Sequence, residues 1–215
     1  MTVWAVVAAA GTGSRYGGLK QYELLGRRRV VDWAVTAARS VADGVVLVAP
    51  PGRLHVGEEA VEAVVPGAET RSASVRAGLA AVPADVEIVV VHDAVRPLAS
   101  VALFEAVVAA VRAGADGAVP GVPLSDTVKQ VRDGAVVATL DRGQLVAVQT
   151  PQAFRADVLR RAHLGEPEAT DDAALVEAVD GRVVVVAGDP ANLKLTGPDD
   201  LAQAEHRVNA ALPNP

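Results

Sequence analysis

Short runs of apolar residues alternate along the chain with longer segments in which apolar positions recur every three or four residues. The short runs have the length of strands and cover residues 3–9, 45–49, 86–91, 117–122 and 182–187. The longer segments have helical periodicity and cover residues 31–41, 56–64, 74–82, 100–112 and the stretch from 198 onwards. Strands that are apolar on both faces and separated by helices are typical of a mostly parallel sheet. The pattern therefore predicts an α/β, Rossmann-like fold with helices on both faces of the sheet, in a single domain spanning residues 1–215.

Residues 125–150 break this rhythm. Two short alternating runs, 127–131 and 135–140, flank the dipeptide Asp133-Gly134. An Asp-Gly turn between alternating runs is a strong hairpin signal. The sequence therefore predicts a β-arm at about 125–150, in place of another strand-helix unit.

Composition narrows the kind of ligand and the compartment. The 215 residues include no cysteine, which excludes disulfides and thiolate metal sites and fits a reducing compartment such as the cytoplasm. The first apolar run lacks a preceding basic region, so we expect a buried strand there and no signal peptide. No apolar stretch reaches the ~20 residues that span a bilayer. The net charge of −6 argues against general attraction to nucleic acid or to acidic membranes, so an anionic ligand would need positive charge gathered locally.

A Gly-rich segment directly follows the first predicted strand and carries Arg15 and Lys20. Glycines at a strand end let the backbone turn tightly and bring its N–H groups close to a phosphate. The dinucleotide fingerprint fails here, because Tyr16 occupies the position of its third glycine and the second strand runs into prolines where an acid is required. The Walker pattern fails because no Gly-Lys-Ser/Thr follows. Two explanations remain open: a phosphate-binding loop with two cations, or a flexible turn with two solvated ones.

Other polar groups follow the remaining strands or begin helices. Asp93 lies just past the third strand, and in open parallel sheets the carboxyl ends of strands line the ligand crevice. Lys194 follows the fifth strand, and Ser74 begins a predicted helix. Each has a simpler explanation: Asp93 could pair with Arg96, Ser74 could be an N-cap, and Lys194 could be a surface lysine. The residues alone leave these alternatives open.

Taken together, these segments resemble one family, the 2-C-methyl-D-erythritol 4-phosphate cytidylyltransferases of non-mevalonate isoprenoid biosynthesis. The matching stretches occur in the family's order and cover nearly the whole chain: 9–15 (AAGTGSR), 19–22 (LKQY), 71–75 (RSASV), 92–97 (HDAVRP), 126–129 (DTVK), 141–142 (DR), 149–152 (QTPQ), 170–171 (TD) and 192–194 (NLK). Residue 8 is alanine where the family often has proline, and Glu69 would represent the acid that the family often has early in the Arg-Ser segment. Both departures affect loop geometry more than chemistry.

The resemblance implies a nucleotidyltransferase that uses CTP with Mg²⁺ and acts as a homodimer through the arm. It implies charge-neutralising catalytic roles for Arg15, Lys20 and Lys194. The nucleotide would be bound by residues of the Gly-rich loop, the helix start and the third strand: Ala9, Ala10, Gly11, Thr12, Gly13, Ala68, Glu69, Arg71, Ser74 and Asp93. The acceptor phosphate substrate would contact a second set: Asp93, Arg96, Thr127, Arg142 and Thr170. Asp93 is also the candidate metal ligand.

Three alternatives accompany this hypothesis. A cytidylyltransferase for another polyol phosphate, such as ribitol 5-phosphate, would share the loop and the fold, and Asp141-Arg142 favours methylerythritol phosphate. A non-catalytic nucleotide-binding subunit could use the same fold, but retention of Arg15, Lys20, Asp93 and Lys194 together argues against it. A dehydrogenase is disfavoured by the loop spacing.

Overall fold

A computed structural model describes residues 1–13, 16–53 and 61–211 of the chain. The strands are β1 Val3–Ala8, β2 Leu24–Leu25, β3 Arg28–Arg29, β4 Gly44–Ala49, β5 Ala63–Pro66, β6 Ile88–Asp93, β7 Gly117–Pro123, β8 Val128–Arg132, β9 Ala135–Leu140, β10 Val146–Val148, β11 Gln152–Arg155 and β12 Val183–Ala187. The helices are α1 Val30–Arg39, α2 Arg71–Ala80, α3 Val101–Arg112, α4 Ala156–Ala162, α5 Asp172–Glu177 and α6 Pro198–Ala211.

The main sheet has the order β10-β7-β11-β6-β1-β4-β5, and β12 also pairs with β7. Strands β1, β4, β5 and β6 are mutually parallel where they pair, and β12 is parallel to β7. Among the described strands of this sheet, β10 and β11 are the two that run opposite to the others. The predicted mostly parallel sheet is therefore confirmed, with its two reversed strands on the β7 side.

Alternate residues of the central strand feed two separate cores. Val3, Ala5 and Val7 of β1 pack in a cluster with α1 and α3, whereas Val6 packs in a cluster with α2, α4 and α5. Because neighbouring side chains of a strand point to opposite faces, both faces of β1 are covered by helices. This explains why the central strands are continuous apolar runs, as a sheet buried on both sides requires.

Helix starts differ from the prediction in one informative case. Ser100 caps α3, its hydroxyl accepting a hydrogen bond from the N–H of Leu103. Helix α2 begins three residues earlier than predicted, and Thr70 is its N-cap. Ser74 is therefore not an N-cap, and its hydroxyl is available for another contact.

The predicted helix over 56–64 is wrong at its end. Residues 63 and 64 belong to β5, which pairs in parallel with β4 at the edge of the sheet; residues 54–60 lie outside the described part of the chain. A short apolar run at an edge strand has no period long enough to separate strand from helix. The third strand also ends two residues later than predicted, so His92 and Asp93 are its last members.

The predicted hairpin is confirmed. Strands β8 and β9 pair antiparallel around Asp133 and Gly134, both with positive φ, and form a two-stranded sheet separate from the main one. The arm is shorter than predicted, because Val146–Val148 joins the main sheet as β10. None of the helices in the described part of the chain combines the length and the apolar character that a membrane span requires.

Candidate functional site

A cleft of about 410 Å³ opens at the carboxyl ends of β1 and β6. It is lined by residues of the Gly-rich loop, the turn before α2, the end of β6 and the segment after β12: Ala8, Ala9, Ala10, Gly11, Thr12, Gly13, Lys20, Gln21, Ala68, Glu69, Thr70, Arg71, Ser74, Asp93, Val95 and Lys194. Twelve of the predicted site residues are therefore brought together by the fold, and Ala8, Gln21, Thr70 and Val95 join them. This placement follows from parallel strands ending at one edge.

The Gly-rich loop leaves β1 and is held by hydrogen bonds to its neighbours. The N–H of Ala9 donates to the carbonyl of Val48, and the carbonyl of Ala8 accepts from Ala94. Gly13 has a φ of +66°, and a Cβ there would lie 1.8 Å from the carbonyl oxygen of Gly18. A side chain at residue 13 would thus be excluded both by backbone conformation and by space.

The turn before α2 is fixed against the Gly-rich loop. The Ser74 hydroxyl accepts a hydrogen bond from the N–H of Ala68 at 3.0 Å and lies 3.3 Å from the carbonyl of the same residue, to which it donates. A Cβ at Gly67 would lie 2.0 Å from the Cβ of Ala10, so the turn can approach the loop only with glycine there. Ser74 therefore orders the backbone of Ala68 and Glu69, the segment expected to contact the base.

Two cations converge on Asp93 at the floor of the cleft. Its Oδ2 lies 2.8 Å from the ammonium of Lys194, and its Oδ1 lies 3.3 Å from Nε of Arg71. Burial acts to raise the pKa of the Asp93 carboxyl, but the charges of Arg71 and Lys194 outweigh it and hold that pKa well below its usual range. Asp93 is therefore ionised at neutral pH and does not pair with Arg96, which had been the simpler explanation.

Arg71 links this pair to a second buried carboxylate. Nη1 of Arg71 lies 2.8 Å from Oδ2 of Asp172, and the other oxygen of Asp172 lies 3.1 Å from Nε2 of His163. Asp172 is fully buried. Asp172 was assigned no role from the sequence, and its neighbour Asp171 is the N-cap of α5. A buried acid directly after an N-cap has no sequence signature that separates it from an exposed one.

His92 and Thr150 form a hydrogen-bonded chain that ends at the backbone N–H of Asp93. The Thr150 hydroxyl accepts from the N–H of Asp93 at 3.0 Å and lies 3.1 Å from Nδ1 of His92, so its own proton is directed to Nδ1. Nε2 of His92 lies 3.2 Å from the carbonyl of Arg96, to which it donates. The imidazole is thus assigned as the neutral Nε2–H tautomer. Burial agrees with this, because it lowers the pKa of His92 to about 4.

Lys20 approaches the cleft from a short 3₁₀ turn over residues 20–22. Its ammonium lies 3.4 Å from the carbonyl of Thr196. The loop that carries Thr196 is held by Asp200 of α6, whose Oδ2 accepts from the N–H groups of Thr196 and Gly197 at 2.6 and 2.8 Å. Lys20 and Lys194 are therefore presented by segments that are themselves tied to ordered elements.

Of the five predicted acceptor-binding residues, Asp93 lines the cleft and the other four lie elsewhere in this chain. Arg96 donates to the carbonyl of Asn192, and Thr170 is exposed in the loop before α5. Thr127 and Arg142 are exposed at the base of the arm, where Arg142 donates to the carbonyl of Ser125. None of these four lines the cleft. Arg15 falls outside the described residues.

Carboxylates at the cleft are few. Over residues 1–13, 16–53 and 61–211, no group of three or more His, Cys, Asp or Glu side chains is arranged to hold a metal ion. Asp93 has both oxygens engaged by cations, and Glu69 is exposed at the cleft rim. Mg²⁺ is commonly held by one or two carboxylates together with substrate phosphates. Among the described residues, this donor set fits a cation that is held chiefly by the phosphates of a nucleotide.

Comparison with known proteins places this chain in a family. The profile of the family described as IspD, 2-C-methyl-D-erythritol 4-phosphate cytidylyltransferase, matches residues 3–210. A protein of that name from Pelotomaculum thermopropionicum is 47% identical over 97% of this chain and 94% of its own length. A bifunctional enzyme IspD/IspF from Nitratidesulfovibrio vulgaris is 42% identical over 95% of this chain, which spans only 58% of that relative.

Solved structures agree. The crystal structure of 2-C-methyl-D-erythritol 4-phosphate cytidylyltransferase from Thermus thermophilus superposes with a TM-score of 0.82 at 33% identity, over 95% of this chain and 98% of that one. The 4-diphosphocytidyl-2C-methyl-D-erythritol synthase of Anaerococcus prevotii gives a TM-score of 0.84 at 29% identity, over 97% and 98% of the two chains. The chain therefore belongs to the 2-C-methyl-D-erythritol 4-phosphate cytidylyltransferase family.

Proposed function

We propose that the protein transfers the cytidylyl group of CTP to 2-C-methyl-D-erythritol 4-phosphate, giving 4-diphosphocytidyl-2-C-methyl-D-erythritol and pyrophosphate. The observation that carries this proposal is one cleft that combines a Gly-rich loop with the side chains of Lys20, Arg71 and Lys194. Membership of the family supports the same reaction. A cytoplasmic location stays a prediction from the cysteine-free composition.

The chemistry requires charge neutralisation more than proton transfer. A phosphate oxygen of the acceptor would attack the α-phosphorus of CTP, forming a new P–O bond while the bond to the β-phosphate oxygen breaks and pyrophosphate leaves. A phosphate monoester is already largely ionised near pH 7, since its second pKa is about 6. The nucleophile therefore needs no dedicated base, and cations that stabilise the developing charge supply most of the catalysis.

Each part of the cleft would then have a role. The Gly-rich loop and Lys20 would bind the triphosphate, together with Arg15. The turn at Ala68 and Glu69, ordered by Ser74, would contact the cytosine. Lys194 would stabilise charge where nucleotide and acceptor meet, oriented by its 2.8 Å contact with Asp93.

A divalent cation such as Mg²⁺ would enter with the triphosphate and neutralise part of its charge. Phosphate oxygens would be its main ligands. The carboxylate of Asp93 would contribute only by giving up its contact with Lys194 or Arg71, because those two cations occupy both of its oxygens. The assignment of Asp93 as a metal ligand stays a prediction.

We also propose a homodimer formed through the arm. Strands β8 and β9 pair only with each other among the described residues, and Val131, Val136 and Val137 on them are each half or more exposed. An isolated two-stranded hairpin with apolar faces is marginal in water and gains stability when a partner covers it. Thr127 and Arg142 at its base would then reach the acceptor site of the partner subunit.

A product assay tests the proposed reaction. The protein is incubated with CTP, Mg²⁺ and methylerythritol phosphate, and pyrophosphate release is followed while the product mass is determined. A parallel incubation replaces the acceptor with ribitol 5-phosphate. We expect release with methylerythritol phosphate at a kcat/KM far above that with ribitol phosphate. A preference for ribitol phosphate, or no release with either acceptor, would refute the assignment.

A further inference from the structure

Gln21 is an almost fully buried amide that touches the Gly-rich loop at two points. Its Nε2 donates to the carbonyl of Ala9 at 2.6 Å and to the carbonyl of Gly11 at 2.9 Å. It belongs to the same 3₁₀ turn as Lys20 and is 1% exposed. One side chain therefore ties two alternate peptides of the loop to the turn that presents a cleft lysine.

These two contacts decide where the loop's N–H groups point. A trans peptide is planar, and its carbonyl and N–H point to opposite sides. When the carbonyls of Ala9 and Gly11 face Gln21, the N–H groups of Ala10 and Thr12 face away from it. Within the part of the chain that the structure describes, no hydrogen bond uses either of these N–H groups, and both residues line the cleft.

We infer that Gln21 is a positioning residue for phosphate binding: it orients the Gly-rich loop so that the N–H groups of Ala10 and Thr12 are donors for the triphosphate. This inference rests on the proposed function and extends it to a residue that does not itself touch phosphate. Backbone N–H groups held in advance are strong anion ligands because no reorganisation is needed when the ligand arrives.

Two substitutions of Gln21 separate the loss of its hydrogen-bond donor from a change in side-chain volume. Gln21→Glu keeps the shape of the side chain but replaces the donating amide with oxygens that repel the two carbonyls. Gln21→Met keeps the approximate volume and removes the donor without adding charge. Gln203→Glu, at an exposed position of α6, adds the same charge outside the cleft and is the control.

The measurement compares ligands with different numbers of phosphates. For Gln21→Glu and Gln21→Met we expect the Kd for CTP to rise about tenfold or more, because the N–H groups of Ala10 and Thr12 are no longer held toward the triphosphate. The Kd for cytidine should stay within about threefold, because the base contacts come from a different segment, and Gln203→Glu should match wild type for both. A general loss of structure would weaken both ligands alike. Equal changes for CTP and cytidine, or none for either, would overturn the inference.

A second measurement uses the unmodified protein and covers the case in which the variants do not fold. Pyrophosphate is titrated into ¹⁵N-labelled protein, and the amide resonances of Ala10 and Thr12 are followed. We expect both to shift with saturation, and unchanged resonances at saturation would contradict the role given to them. Because no acceptor is present, this result does not depend on the acceptor assignment. The product assay can therefore fail while the inference about the loop holds, and the inference about the loop can fail while the product assay succeeds.

Discussion

The ammonium of Lys194 lies 2.8 Å from Oδ2 of Asp93, although the two residues are 101 positions apart in the chain. Lys194 follows the fifth predicted strand and Asp93 ends the third, so the parallel sheet brings them together at one edge. The contact leaves the Lys194 side chain 42% exposed toward the cleft while fixing its ammonium. A cation held in this way is oriented for a ligand without being buried out of reach.

The first prediction concerns this pair. Asp93→Asn and Lys194→Met should each lower kcat/KM, and the double variant should lose less than the sum of the two in free energy, because either change alone already disrupts the same arrangement. Residues in contact commonly show coupling of about 0.5–3 kcal/mol. Combining Lys194→Met with Arg27→Ala, which removes a cation from an exposed turn, should instead be additive. Additivity in both cycles would mean that Asp93 does not act through Lys194.

The second prediction tests Lys20. Removing one preorganised donor that stabilises transition-state charge commonly costs about 10²–10³ in rate. We expect Lys20→Ala to lower kcat by that factor, with the melting temperature little changed because Lys20 lies at the cleft. Arg27→Ala removes a nearby charge on the exposed turn and should keep turnover near wild type. Turnover of Lys20→Ala within about threefold of wild type would exclude a transition-state role.

The sequence predicted the central sheet well because its inner strands are buried on both faces. Strands β4 and β6 are buried at every position, and apart from His92 and Asp93 at the end of β6 they carry no polar side chain, as a sheet covered on both faces requires. The first two residues of the edge strand β5, 63 and 64, fell within a segment predicted as helix, since the partly exposed residues of this strand carry no clear period. Strand β11 was not predicted. Its four residues include both glutamine and arginine, and the strand is antiparallel to its neighbours.

The site residues likewise divide into those that the sequence could place and those that it could not. Those at strand ends, such as Asp93, could be placed because parallel topology fixes where strands end. Gln21 and Asp172 were not assigned roles. Gln21 acts by donating to a backbone carbonyl, and Asp172 acts by pairing with Arg71, which is distant in sequence. A buried polar residue cannot be distinguished from an exposed one in the sequence. What burial of a polar side chain costs in free energy depends on its hydrogen-bond or ion-pair partner, which only the structure shows. His163, which bonds to Asp172, is the same case.

The third prediction concerns the arm. Val136→Asp places a charge on a residue that is 60% exposed in the isolated chain and that the proposed dimer would bury. Burying an unpaired charge is unfavourable, so we expect sedimentation velocity to show a monomer in place of a dimer, with a parallel loss of activity. Leu164→Asp, at a position 75% exposed after α4, is the matched control and should leave the assembly unchanged. A dimer that survives Val136→Asp would place the interface elsewhere.

The fourth prediction follows from His92, whose pKa burial lowers to about 4 in the folded protein, against about 6.5 in an unfolded chain. Between these values the unfolded chain binds the extra proton and the folded protein does not. The stability that neutral His92 contributes is therefore fully present above about pH 6.5 and is lost as the pH falls toward 4, by at most about 3 kcal/mol. Urea unfolding of wild type and His92→Gln across this range should show a shallower pH dependence in the variant. His206→Gln, which changes an exposed histidine of α6, should follow wild type; equal slopes for wild type and His92→Gln would show that His92 is not held neutral by the fold.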